Sequence, residues 1–188
     1  SEAANTLTRV DGEWLAESTD GPGLIMDLVR LQRPVAQQRV ALLGAGGAAA
    51  SVLATLLEAE PKFVDIFNRT RVRAETLAQR HAHIGPVRGH EIAALDAAGP
   101  FDMVINATSQ GHAGGLPPMH SALLAPGGFV YDMNYGAAAK ALGQWCESHR
   151  IACASGLGML VGQAARSFSL WTGYQPALEP VLKSLADT

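Results

Sequence analysis

The apolar run Arg39–Val40–Ala41–Leu42–Leu43 passes without a break into Gly44–Ala45–Gly46–Gly47–Ala48–Ala49. Gly44 permits a tight strand-to-helix turn, and Gly46 lets the backbone approach a pyrophosphate. Ala49 keeps the helix close to the sheet, while the helix N-terminus presents free N–H groups to an anion. With an apolar strand before it and an Ala-rich stretch after it, the segment reads as a dinucleotide-binding turn. Gly44, Ala45, Gly46, Gly47 and Ala48 are then cofactor-binding residues. A glycine turn without a ligand is the plainer alternative.

The next apolar strand ends at Phe67–Asn68–Arg69–Thr70. A chain that binds NAD usually carries Asp or Glu there for the adenosine ribose; Asn68, Arg69 and Thr70 suit a 2′-phosphate instead. Arg69 is expected to contact that phosphate, Thr70 to donate its hydroxyl, and Arg73 to add a second cation one helical turn on. The cofactor this predicts is NADP. The alternative for Arg69 and Arg73 is a pair of solvated cations opening a helix.

With 188 residues, 48% of them hydrophobic, the chain has material for one substantial α/β domain, or for a domain with an attached arm. Gly, Pro or a charge interrupts every apolar run before it reaches bilayer length, and the first residues show no signal-peptide pattern, so no membrane association is expected. A net charge of −3 gives no footprint for nucleic acid. Cys146 and Cys153 are too few for a disulfide framework and read as free thiols in a reducing compartment, the cytoplasm. The dispersed histidines offer no metal site.

Residues 1–20 read as a β-hairpin turning at Asp11–Gly12. Helical spacing begins at Gly23. Beyond Leu43, strands at 63–67, 103–106 and 129–133, with a possible short one near 85–87, alternate with helices at 46–58, 71–80, 91–98, 137–149, 160–172 and 179–186. Continuous Val/Ile/Leu/Phe strands between helices predict a Rossmann-like α/β fold: a doubly wound, mostly parallel sheet with helices on both faces. Trp14, Trp145 and Trp171 read as packing residues.

Taken in order, a series of motifs resembles the shikimate dehydrogenase family. It comprises Asn5–Thr6–Leu7, Ser18–Thr19–Asp20–Gly21, the Gly44–Ala48 turn, Asn68–Arg69–Thr70 with Arg73–Ala74, and Ile105–Asn106–Ala107–Thr108–Ser109. It continues through Tyr131–Asp132–Met133 with Tyr135, then Gly156–Leu157–Gly158–Met159–Leu160–Val161 with Gln163, and on to Leu170–Trp171 with Gly173. The resemblance covers essentially the whole chain in family order and spacing. It implies reversible NADPH-dependent reduction of 3-dehydroshikimate to shikimate, on the route to chorismate and the aromatic amino acids.

By the same resemblance Asp20 is the catalytic aspartate, and Asn5, Asp20, Gln163 and Tyr135 contact the substrate. Gly156 and Met159 lie beside the nicotinamide, and Ala107, Thr108 and Ser109 line the cofactor. Taken alone, Asp20 also suits a turn or helix cap, Met159 a core position, Gln163 a loop cap and Tyr135 a packing site. Residues 1–20 are expected to be a remnant of the substrate domain and hinge, and residues 21–188 the NADP-binding domain. The family pairs its aspartate with a lysine in the N-terminal domain, and Lys62, Lys140 and Lys183 do not fall in that motif. These 188 residues are therefore expected to bind NADP and to turn over very poorly, as a monomer or homodimer. A quinate/shikimate dehydrogenase and a non-catalytic NADP-binding module are the competing expectations.

Overall fold

The computed structural model describes residues 4–186. Asp11 and Gly12 both adopt positive φ, which lets the Asp-Gly turn join strands β1 (Thr6–Val10) and β2 (Glu13–Glu17) into an antiparallel pair of their own. Helix α1 (Asp20–Arg30) follows. The remaining strands are β3 (Arg39–Leu43), β4 (Phe63–Asn68), β5 (Val87–Glu91), β6 (Phe101–Asn106), β7 (Leu124–Asp132) and β8 (Ala152–Ser155). They form one six-stranded sheet in the order β5-β4-β3-β6-β7-β8, and every neighbouring pair is parallel. This is the doubly wound Rossmann-like α/β arrangement that the alternation of strand and helix predicts.

Alternation along the strands divides the core into two layers. Val40 and Leu42 of β3, Met103 and Ile105 of β6, and Phe129 and Tyr131 of β7 face one side. There they pack against α1, α2 (Gly47–Glu58), α3 (Arg71–His81) and α5 (Leu157–Thr172). Ala41, Leu43, Val104 and Val130 face the other side, toward Leu142 and Cys146 of α4 (Lys140–Ser148) and the 3-10 turn Ile92–Ala97. A last helix, α6 (Leu178–Ala186), packs beside α5.

Some local expectations need correction. The segment expected to be helical at 91–98 is the 3-10 turn, and the strand near residue 86 lies slightly later, as β5. Strand β8 was not expected at all. Trp14 and Trp171 are 67% and 61% exposed rather than packed in the core; the Arg9 guanidinium lies 6.0 Å from the Trp14 ring. No helix among the described residues is long and apolar enough to cross a membrane.

Candidate functional site

The strand order reverses between β3 and β6, and a groove of about 660 Å³ opens there at the carboxyl ends of the strands. Its floor is the turn Gly44–Ala48. Gly44 has φ +104, and a Cβ on it would stand 3.0 Å from the Ala107 carbonyl oxygen, so the position demands glycine both in conformation and in space. Gly46 and Gly47 face open space. No side chain caps the first turn of α2, so its leading amides remain available to an anion.

Asn68, Arg69 and Arg73 form one end of the groove, and Ala107, Thr108 and Ser109 form a wall. Asn68 shapes its end by donating from Nδ2 to the Thr70 carbonyl at 3.0 Å. The neighbouring Arg71 is taken up by Glu75 at 2.7 Å, which leaves Arg69 and Arg73 as the cations facing the groove. Thr70 precedes α3 and accepts the Arg73 amide on its carbonyl at 3.0 Å. Strand β4 thus ends without a carboxylate, a chemistry that favours a phosphate over a ribose diol.

A second polar cluster brings together residues from both ends of the chain. Asn5 Nδ2 donates to Asp20 Oδ1 at 2.8 Å and to Gln163 Oε1 at 3.4 Å. The orientation of the Asn5 amide is fixed by the Thr19 backbone N–H, a donor only, which reaches Asn5 Oδ1 at 2.9 Å. The Thr19 hydroxyl lies 3.0 Å from the same oxygen, so it serves Asn5 instead of capping α1. Below, Ser167 Oγ donates to the Gln163 carbonyl at 3.0 Å and lies 2.6 Å from Thr6 Oγ1.

Backbone contact sets Asp20 beside Gln163. A Cβ on Gly23 of α1 would meet Gln163 N at 2.6 Å and Met159 O at 2.8 Å, and one on Gly162 of α5 would meet Gly23 O at 2.9 Å. At Gly23 and Gly162 the two helix backbones therefore touch directly. Asp27, 1% exposed, adds a polar anchor: it accepts from Tyr131 Oη at 2.7 Å and pairs with Arg30 at 2.7 Å. Burial, reinforced by that carboxylate, pushes the Tyr131 phenol far above its ordinary value.

Two expected site residues stand apart from these clusters. Met159 is 8% exposed and belongs to the core layer, not to the groove lining. Tyr135 is 49% exposed and precedes the 3-10 turn Gly136–Ala139. Gly156 is buried at the start of α5, where its amide donates to Asn134 O at 2.8 Å.

Asp132, given by the resemblance only as part of Tyr131–Asp132–Met133, is a hydrogen-bond hub. The Asn106 side chain and the Asn134 amide and side chain all donate to its Oδ1 at 2.8–3.0 Å. Burial raises its carboxyl above the usual carboxylate range, against the opposing effect of those N–H donors.

Known proteins match along the same line. The family model for shikimate / quinate 5-dehydrogenase matches residues 28–113, and that for the shikimate 5′-dehydrogenase C-terminal domain matches residues 156–186. Shikimate dehydrogenase (NADP(+)) of Acidovorax ebreus is 43% identical over 97% of this chain and 66% of its own length. The protein of the same name from Saccharophagus degradans is 44% identical over 97% of this chain and 69% of its own. The solved shikimate 5-dehydrogenase of Thermus thermophilus, in complex with NADP(H) and shikimate, superposes with a TM-score of 0.81 at 28% identity. That match covers 98% of this chain and 68% of the Thermus chain. The chain spans 66% of the length of the Acidovorax relative. With the glycine turn, the Arg69 end and the Asn5–Asp20–Gln163 cluster all in place, the chain belongs to the shikimate dehydrogenase family.

Proposed function

We propose that this chain is the NADP-binding part of a shikimate dehydrogenase, which reduces 3-dehydroshikimate reversibly to shikimate with NADPH. The Asn5–Asp20–Gln163 cluster carries the substrate assignment, because a nucleotide-binding module alone has no use for it. Residues 21–188 form the NADP domain, and residues 1–20 belong to the hinge toward the substrate domain.

The cofactor supplies the hydride; the chain holds and orients it. The α2 amides bind the pyrophosphate, Arg69, Thr70 and Arg73 bind the 2′-phosphate, and the loop Ala107–Ser109 packs along the ribose side. Asn5 and Gln163 contact the substrate. Asp20, held by Asn5, orients the proton donor that quenches the alkoxide left by hydride transfer.

On this reading the donor is the lysine of the family's substrate domain, since Lys62, Lys140 and Lys183 fall outside the family's lysine motif. The 188 residues alone should therefore bind NADP(H) and turn over very poorly. A cytoplasmic setting and a monomer or homodimer complete the reading; Cys146 and Cys153 are free thiols.

Calorimetric titration of this chain with NADP+ and NAD+, alongside shikimate oxidation by the chain and by a form preceded by the family's substrate domain, tests the proposal. NADP+ should bind at least about tenfold more tightly than NAD+, and turnover should appear only with the added domain. Equal binding of both cofactors, or no shikimate-dependent NADPH formation by the longer form, would count against it. The quinate alternative is separated by offering quinate to the same longer form.

A further inference from the structure

The wall of the dinucleotide groove is held from beneath. Thr108 has each of its polar groups engaged: its N–H and hydroxyl donate to Asn106 Oδ1 at 3.1 and 2.7 Å, and its carbonyl accepts from Asn134 Nδ2 at 3.0 Å. Both asparagines converge on one atom. Asp132 Oδ1 accepts from Asn106 Nδ2 at 2.9 Å, from Asn134 Nδ2 at 2.8 Å and from the Asn134 amide at 3.0 Å. Parallel register makes this possible, because Asn106 of β6 stands opposite Asp132 of β7.

The other carboxylate oxygen, Oδ2, is buried and has no hydrogen-bond partner among the described residues. Leaving such an atom unpaired is unfavourable to folding. A residue selected for stability alone is poorly served by that arrangement. What Asp132 gains is a fan of three N–H donors on Oδ1, and the outcome of the fan is the setting of Thr108. The loop in turn leans over the turn: the Ala107 carbonyl and the Thr108 methyl are the atoms closest to the Gly44 α-carbon face. A shift of Thr108 therefore moves the wall relative to the floor on which a pyrophosphate would lie.

We propose that Asp132 is a positioning residue for dinucleotide binding, acting through Asn106 and Asn134 to hold the Ala107–Ser109 wall against the glycine turn. This rests on the reading of the Gly44 groove as the cofactor site. Asp132 touches no cofactor itself.

The test uses the 188-residue chain, with NADP+ affinity by calorimetry, melting temperature, and the Thr108 amide resonance in 1H–15N spectra. Asp132→Ala should weaken NADP+ binding by about tenfold or more and move the Thr108 amide toward a non-hydrogen-bonded position. Asp132→Asn keeps a carbonyl oxygen facing the three donors and should bind within about threefold of the parent. Should Asp132→Ala not fold, Asn134→Ala severs the Thr108 carbonyl from the hub and is expected to weaken binding by about threefold to tenfold.

A parent that binds and an alanine variant that binds within about twofold of it would overturn the proposal alone. So would an asparagine variant as weak as the alanine one. A parent that binds no NADP+ overturns the groove reading and this proposal with it.

Discussion

The Tyr131 hydroxyl donates to the Asp27 carboxylate at 2.7 Å, joining strand β7 to α1 inside the protein. Asp27 retains Arg30 when that contact is lost, so Tyr131→Phe removes one charge-assisted hydrogen bond without orphaning the carboxylate completely. A loss of about 1–3 kcal/mol in urea unfolding is expected. Because burial keeps the Tyr131 phenol protonated, the variant should show the parent's 295 nm absorbance change up to about pH 11. A smaller change in the variant would mean that Tyr131 ionises in the folded parent.

Arg69→Leu removes a groove cation and leaves the glycine turn intact. NADP+ affinity should fall by about tenfold or more, with NAD+ affinity changed by less than about twofold. Parallel calorimetric titrations with the two cofactors check this. Unchanged NADP+ affinity would show that Arg69 is only a solvated residue at the head of α3.

At the α1–α5 crossing, Gly23→Ala places a methyl group against the Gln163 amide and the Met159 carbonyl. Both obstacles are backbone, so the helices must separate. A destabilisation of about 1–3 kcal/mol is expected, seen as a lower melting temperature. In the form carrying the substrate domain, kcat/KM for shikimate should fall further than NADP+ affinity does, since Asp20 and Gln163 move apart while the Gly44 groove does not. An equal loss in both would place the damage elsewhere.

Acid sensitivity should be partly traceable to Asp102. The Arg39 side chain hydrogen-bonds it at 2.8 and 2.9 Å and holds its carboxyl below the usual carboxylate range. A depressed folded-state value contributes stability that is present above the unfolded value and disappears as pH falls through the folded one. Asp102→Asn is therefore expected to be less stable than the parent by about 1 kcal/mol near pH 6, a modest figure because the pair is part-exposed. That difference should shrink from about pH 4 downward. Urea midpoints across the acid range provide the measurement; a gap that widens on acidification would reverse the assignment.

The sequence made the sheet legible wherever a strand is buried on both faces. Leu42, Ile105 and Val130 lie in unbroken apolar runs, and Ile66 in one that only Asp65 interrupts; each run is an internal strand of the sheet. Strand β8 escaped because it is four residues at the sheet edge, built from alanine, cysteine and serine with no bulky side chain to mark it. The 3-10 turn at Ile92–Ala97 is too short for helical periodicity to separate it from an α-helix.

Among the candidate site residues, Gly44 and Arg69 are suggested by local pattern, since each follows directly from a strand end. Asn5, Asp20 and Gln163 are suggested only by the family resemblance, because no spacing rule connects positions so far apart. The Asp132 hub was visible by neither route. Its chemistry depends on which residue of β6 stands opposite it, and register is a property of the folded sheet.

The contact between Asn5 and Gln163 spans 158 positions of the chain. Closing a loop of that size costs about 4.5 kcal/mol of chain entropy by the logarithmic scaling, whereas one hydrogen bond returns about 1 kcal/mol. The polar cluster cannot draw its own members together; it forms after α1 and α5 have docked. The dinucleotide groove closes over a shorter span, since the Gly44 amide finds its acceptor on Phe67, 23 positions on, at 2.8 Å. The two clusters thus differ in the chain entropy that their closure costs. On the proposed reading, opening the α1–α5 contact would cost the molecule its hold on substrate before its hold on cofactor.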